Sequence, residues 1–266
     1  MTTQSHDYPV TLSTRADADA MPKQTFFNLL QEKRDRIAEL AVDEFSRFPY
    51  AQASISRIVE RAGIAKGSFY QYFENKLDLY VWLTYKVIGD RKLAYFKAHP
   101  PPPGGDIFTQ YEHLLFSGLK FGLENPRMSR VAQTIWQSTS DPNLKPMNQK
   151  MMKMTRQGLR IMLEQGIEAG HIREDIDLDI ATDFFVAVTT HGLDLGLQRL
   201  VGVDLIEFCA QPELADRLPE EAQRKLIHGM VDLLRRGLGS GKPVEEGSDW
   251  AWDFEKIPRA IQEDEP

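Results

Sequence analysis

The stretch Ser54 to Lys76, SISRIVERAGIAKGSFYQYFENK, constrains the fold more tightly than any other part of the chain. Ile55, Ile58, Val59 and Ala62 fall at i, i+3, i+4 and i+7, which is one apolar stripe along an α-helix. Ser54 stands just before them, where a side-chain oxygen can cap the free N–H groups of the first turn. Gly63 stands where that helix must end, because glycine takes the left-handed conformation without a Cβ penalty. A second short helix follows, with Phe69 and Phe73 facing inward at i and i+4. Lys66, Ser68, Tyr70, Gln71 and Tyr72 are left to face outward. A cation, hydroxyls, an amide and phenols on one surface suit phosphate oxygens and base edges.

Helical periods continue in both directions from this helix-turn-helix pattern. Residues 1–22 are rich in Ser, Thr, Asp and Ala, lack periodicity and read as a flexible arm. From Pro22 a single helix is predicted, apolar at Phe26, Phe27, Leu30, Ile37, Leu40, Ala41, Phe45 and Phe48 and ended by Pro49. A long helix is predicted from Asn75 through Leu79, Trp82, Leu83, Val87 and Ile88 toward Phe96. His99 to Gly105 holds four prolines and two glycines and must be a loop. Further helices are predicted from Ile107 to Leu123, from Pro126 through Trp136, and from Leu144 to Ala169 with Gly170 as a stop. The last two run from Asp177 to Leu200 and from Pro219 to Leu238. With no convincing alternating strand, the expected fold is all-α. It divides into an arm (1–22), a helix-turn-helix head (23–76), a helical body (77–238) and a tail (239–266). The tail is rich in Gly, Ser, Glu and Asp but carries Trp250, Trp252, Phe254, Ile257 and Ile261, more apolar side chains than a disordered acidic segment usually holds. Docking of the tail on the body or on a partner subunit stays open.

The net charge of −7 argues at first against nucleic acid, but its distribution does not. Residues 23–97 hold 13 basic and 9 acidic side chains, so a mildly basic head sits on an acidic body. Cys209 is the only cysteine, which excludes an intrachain disulfide and fits a reducing compartment. Its place at an apolar helix end reads as core. The N-terminus lacks the apolar segment of a signal peptide, and no run of roughly 18 apolar residues suggests a membrane span. The cytoplasm is therefore expected, with no membrane association. The six histidines have no metal-ligand spacing, and no HExxH, CxxC, GxSxG or phosphate-cradling glycine loop is present. Neither an enzyme, nor a metal, nor a cofactor is expected.

The run from Ile37 to Leu79 resembles the N-terminal DNA-binding domain of the TetR family of bacterial transcriptional regulators. The resemblance is carried by Ile37, Leu40, Ala41 and Phe45, then by Ser54-Ile55 with Ile58-Val59. It continues through Ala62-Gly63-Ile64, Gly67-Ser68-Phe69-Tyr70, Tyr72-Phe73, Asn75-Lys76 and Leu79. A helix in the major groove presents its N-terminal residues to base edges. Lys66 can donate to guanine or to phosphate, and Gly67 allows close backbone approach. Ser68, Tyr70 and Gln71 are the candidate base readers. Ser54 can hold a phosphate through its hydroxyl and the helix N-terminus; Ser56 and Arg57 can add to either class. By their places in the family pattern, Tyr72 and Lys76 resemble phosphate contacts.

The same resemblance implies a homodimer, formed through the last two long helices, on a palindromic double-stranded operator. It also implies a body that binds a small apolar or amphipathic effector and thereby releases DNA, most often as a repressor. Candidate lining residues are Tyr111, His113, Phe116, Phe121, Trp136, Met147, Met151, Met154 and Phe185; the methionine cluster suits irregular apolar ligands. An alternative keeps the DNA-binding head but has the body recruit a protein partner instead of sensing a small molecule.

Overall fold

The predicted helical periods are realised almost throughout the computed structural model, which describes residues 22–137, 141–243 and 250. Among the described residues there is no strand, only an isolated antiparallel bridge between Ile172 and Gly239, and the fold is all-α. No helix among them is long and apolar enough to cross a membrane.

The first helix departs from expectation. Instead of one helix from Pro22 to Pro49, there are two: α1 (Gln24–Phe27) and α2 (Gln31–Arg47). Leu30 turns extended (φ −56°, ψ 143°) and is 80% exposed. The Arg34 guanidinium donates to the carbonyls of Phe27 and Leu29, so the broken turn is not left with free acceptors. The break swings Phe26 fully into the core, with its ring 4.9 Å from both Phe73 and Trp82. Periodicity alone cannot detect this, because Phe26, Phe27 and Leu30 continue the stripe.

The helix-turn-helix forms as its caps dictate. In α3 (Ile55–Ala62) the Ser54 hydroxyl accepts from the Arg57 amide (3.4 Å), and Gly63 closes the helix at φ +66°. The second helix, α4, spans Lys66–Tyr72. Asn75 then caps α5 (Lys76–Trp82), accepting from the Asp78 amide (3.0 Å), while Asp78 accepts from the Glu74 amide (3.0 Å). The predicted long helix continues through a π-helical turn at Leu83–Ile88 into α6 (Gly89–Ala98).

The body contains α7 (Ile107–Glu124), α8 (Pro126–Gln137) and α9 (Lys145–Glu168), the last stopped at Gly170 with φ +71°. Asp177 caps α10 (Leu178–Ala187), which passes through a second π-helical turn, Val188–Gly192, into α11 (Leu193–Val201). Two short helices, α12 (Leu205–Ala210) and α13 (Pro212–Arg217), were not anticipated from sequence. They precede the final long helix α14 (Glu220–Leu238). Beyond α14 the chain turns back along residues 171–173, with Arg173 N–H on Leu238 O and Ser240 N–H on His171 O, both 3.0 Å.

Two apolar cores result. One gathers Phe26, Ile37, Phe45, Phe69, Phe73 and Tyr80 from the head and also Met128, Val131 and Ile135 from α8. Each such buried ring or branched chain contributes about 1.5–3 kcal/mol. The other is built on Phe108, Tyr111, Phe185, Leu197, Phe208 and Ile227. The Tyr80 hydroxyl donates to Val131 O (2.9 Å), joining α5 to α8 inside the first core. Of the tail aromatics, Trp250 packs on the second core, edge-on to His171 at 4.7 Å, with its carbonyl accepting from Gln110 (2.6 Å). Trp252, Phe254, Ile257, Ile261 and the arm as far as Met21 lie outside the described residues.

Candidate nucleic-acid interface and ligand cavity

Phe69 and Phe73 anchor α4 to the head core and turn its other side to solvent. On that side Lys66, Gly67, Tyr70 and Gln71 are exposed and Ser68 is half-buried. Tyr70 is 47% exposed and braced edge-on by Phe69 at 5.3 Å. Ser56 is exposed on α3. The far end of α4 is held by α1. Lys23 Nζ donates to Tyr70 O (2.9 Å), the Thr25 hydroxyl to Gln71 O, and the Lys23 amide to Tyr72 O (2.8 Å). These bonds satisfy carbonyls that a helix C-terminus leaves free. Sequence reasoning missed this clamp. Its only trace is a lysine before, and a threonine within, a four-residue helix more than forty positions upstream.

Three of the side chains expected to meet DNA are engaged by other groups of the head. Tyr72 does not face outward: it is 8% exposed and packs beside Phe26, ring centroids 6.0 Å apart. Lys76 spends its three ammonium hydrogens on carbonyls of the turn before α3, Tyr50 (2.6 Å), Ala53 (3.1 Å) and Ala51 (3.2 Å). Desolvation lowers its pKa, outweighing the Asp141 and Glu44 charges. Arg57 forks onto the buried Glu44 carboxylate, with Nε 2.9 Å from Oε1, and lies over the Phe48 ring at 4.3 Å. That pairing raises the Arg57 pKa, chiefly through the Glu44 hydrogen bond. The same carboxylate accepts the Ser54 amide (2.7 Å), so Glu44 fixes the entry to α3. Ser54 itself is half-buried, with its hydroxyl used in the cap.

Glu39 and Asp43 of α2 brace the head against other helices. Asp43 pairs with Arg61 of α3 (2.7 Å) and Arg127 of α8 (3.6 Å); Glu39 pairs with Arg91 of α6 (3.0 Å). Burial would raise the Asp43 pKa, but the Arg61 hydrogen bond and the charges of Arg47, Arg61 and Arg127 hold it below the ordinary value.

A cavity of about 260 Å³ lies between α6, α7, α8, the second π-helical turn and α12. Of the expected lining residues, Phe121 and Trp136 line it. His113 lines a neighbouring cavity of about 250 Å³, with its Nε2 2.8 Å from His99 O, and Phe96 and Leu114 are common to both spaces. The others are placed differently. Tyr111 and Phe185 pack together at 4.7 Å in the body core, where the Tyr111 hydroxyl donates to Phe185 O (3.1 Å). Burial pushes the Tyr111 pKa up. Phe116 lies under the Arg224 guanidinium (3.7 Å). Met147 and Met151 join the core shared with the head, and Met154 is half-buried on α9 and lines neither cavity.

Sequence reasoning missed Ile88, Lys92, Gln133, Thr189 and Thr190 in the cavity wall. Cys209 also lines it; burial holds its thiol near a pKa of about 12, so it stays protonated. Helix α8 has two working faces. Ser129, Ala132, Gln133 and Trp136 line the cavity, while Met128, Val131 and Ile135, each one turn-position away, sit in the head core.

Residues 37–81 match the family model described as bacterial regulatory proteins, tetR family. A TetR family transcriptional regulator from Chloroflexus aurantiacus J-10-FL has a solved structure 33% identical in sequence. The match covers 82% of this chain and 99% of that one, with a TM-score of 0.58. The probable acrEF/envCD operon repressor of Escherichia coli K12 is 24% identical over 226 residues, 80% of this chain and 99% of that protein. The regulator FadR from Bacillus subtilis, solved in complex with stearoyl-CoA, is 20% identical with a TM-score of 0.54. That match covers 76% of this chain and 98% of the neighbour.

Proposed function

This chain belongs to the TetR family of bacterial regulatory proteins and is a transcriptional regulator; from that premise we propose a repressor that binds a palindromic operator as a homodimer and is released by a small molecule in its body. The reading face is Lys66, Gly67, Ser68, Tyr70 and Gln71 on α4, with Ser56 on α3. Its place of work is the cytoplasm, with the DNA.

One head offers too little surface for tight specific binding, so two must act together on a symmetric site. Support for the dimer comes from an apolar ridge on the last long helices. Ile180 (57%), Phe184 (61%), Leu195 (65%), Leu200 (44%) and Leu233 (73%) are exposed there. Behind the ridge the helices pack closely: a Cβ on Gly196 would stand 2.6 Å from Leu226.

The observation that carries ligand control is the double use of α8. A molecule that displaces Trp136 or Ala132 moves the helix whose other face, Val131 and Ile135, is part of the head core. The Tyr80–Val131 hydrogen bond couples the same shift to the helix that starts beside α4. Differential binding to two arrangements of this unit is what a population shift requires. The stearoyl-CoA complex of FadR shows that a protein of this fold accommodates a ligand. The probable operon repressor of Escherichia coli favours repression over activation.

The test is to select bound fragments from the source genome and titrate them at fixed salt. Lys66→Ala and Tyr70→Ala should each weaken binding by about 1–3 kcal/mol with an unchanged melting temperature. Unaltered affinity in both variants would remove α4 as the reading helix.

A further inference from the structure

The cavity beside α6 is mostly apolar but carries at its rim a cation with no ion pair among the described residues. Ile88, Phe96, Leu114, Leu119, Phe121 and Trp136 give it an apolar wall. Among the described residues, none that lines this cavity or its neighbour carries a carboxylate. Lys92 lines it too. Its ammonium lies 5.6 Å from the Phe96 ring centroid and makes no ion pair or hydrogen bond among the described residues. The Lys92 side chain is exposed, so it stands at the rim of the cavity, and desolvation there lowers its pKa. Helix α6 as a whole has no buried residue, although Lys92, Leu93 and Phe96 line cavities on its inner side.

A cation at the rim of an apolar cavity that no carboxylate lines suits a ligand with an anionic head and an apolar body. Three other lysines, by contrast, have oxygen partners: Lys76 three carbonyls, Lys86 the Asp90 carboxylate, Lys23 the Glu74 carboxylate. We propose that the effector cavity takes an amphiphilic carboxylate, its head group on Lys92 Nζ and its hydrocarbon body along Phe96, Leu114 and Trp136. The proposal rests on the reading of this cavity as the effector site and adds the ligand's charge and polarity. Phe96 and Leu114, common to both cavities, let a chain too long for about 260 Å³ extend toward His113. The carboxylate would replace water at the ammonium with a charge-assisted hydrogen bond, which is shorter and stronger than a neutral one. Thr189, Thr190 and Gln133 provide further polar groups in the same wall.

The test uses the full chain, titrated calorimetrically with decanoate and with decanol, in the original protein and in the variants Lys92→Met and Lys92→Arg. Lys92 holds no other group in place, so both variants should fold and melt as the original does. Decanoate should bind the original at least tenfold more tightly than decanol, and Lys92→Met should lose about tenfold for decanoate. Decanol should be unaffected, and Lys92→Arg should retain decanoate. Equal binding of the two probes, with no change in Lys92→Met, would overturn the carboxylate while leaving an effector cavity in place. Binding of neither probe would overturn the proposal. The wider reading of an effector site would then fail only if bound operator were also indifferent to a metabolite extract.

Discussion

Replacing Lys76 with methionine separates two roles that one lysine at this position can play. The sequence pattern makes it a phosphate contact, whereas the structure makes it the staple of the turn before α3. Methionine keeps much of the aliphatic stem and deletes the ammonium. The ammonium bonds three carbonyls, of which those of Tyr50 and Ala53 belong to buried residues while Ala51 is exposed. Water can replace the donor at Ala51 but not readily at the other two. Hydrogen bonds to a charged group contribute about 1.5–3 kcal/mol net each, before the ammonium's own desolvation is subtracted. The cation over the Tyr50 ring at 4.6 Å adds about 0.5–1 kcal/mol. Because the pKa of Lys76 is lowered by desolvation, part of that gain is offset, and a loss of about 2–3 kcal/mol is expected. Urea denaturation measures it. Operator titration at several salt concentrations supplies the second readout, because each phosphate contact adds about 0.9 to the slope of log K against log salt. Lys76→Met should leave that slope unchanged, whereas Lys66→Met should reduce it if Lys66 meets phosphate. Unchanged stability together with a slope lower by about 0.9 would refute the staple and restore the phosphate role.

Two further outcomes are expected. Phe184→Glu, on the exposed ridge of α10, should weaken the dimer by about 2 kcal/mol or more, read by sedimentation equilibrium; an unchanged dimer constant would exclude this face. Asp43 has a folded pKa below its ordinary 3.8, so its stabilisation is present above 3.8 and lost as pH falls through the lower folded value. Asp43→Asn should therefore be less stable at pH 6 and show a shallower acid limb below pH 4 in urea denaturation, and parallel limbs in the two proteins would count against the brace.

The braces and the cavity together describe one mechanical unit. Glu39 and Asp43 tie α2 to α3, α6 and α8, and α8 carries one face in the head core and one in the cavity wall. A ligand at Lys92 and Trp136 would act on two of those helices at once. The π-helical turn at Leu83–Ile88 interrupts the helix between α4 and the cavity, and Thr84 bonds back to Tyr80 O (2.8 Å) there. Such turns frequently mark functional positions in long helices.

Local chemistry was legible from the chain itself. Ser54, Asn75 and Asp177 cap helices, and Gly63 and Gly170 end them, because a cap depends on its own residue and the next three or four. The periods of Ile55–Ala62, Ile107–Glu124 and Glu220–Leu238 placed their helices within a residue or two, since amphipathicity is written along one element. Contacts between distant elements were not legible. Whether Lys76, Arg57 and Tyr72 face DNA or the head depended on where the turn at Tyr50, the Glu44 carboxylate and the Phe26 ring came to lie. The break between α1 and α2 is favoured by Phe26 meeting Phe73 and Trp82 and by Lys23 and Thr25 capping α4, all more than forty residues downstream. Helices α12 and α13, six residues each, are too short to show a period. The cavity was least legible of all, because it is space left between helices. The helix-turn-helix with which the chain is identified is therefore a property of its sequence, while the division of its polar residues into an exposed face on α4, staples and a cation at the cavity rim is a property of tertiary packing.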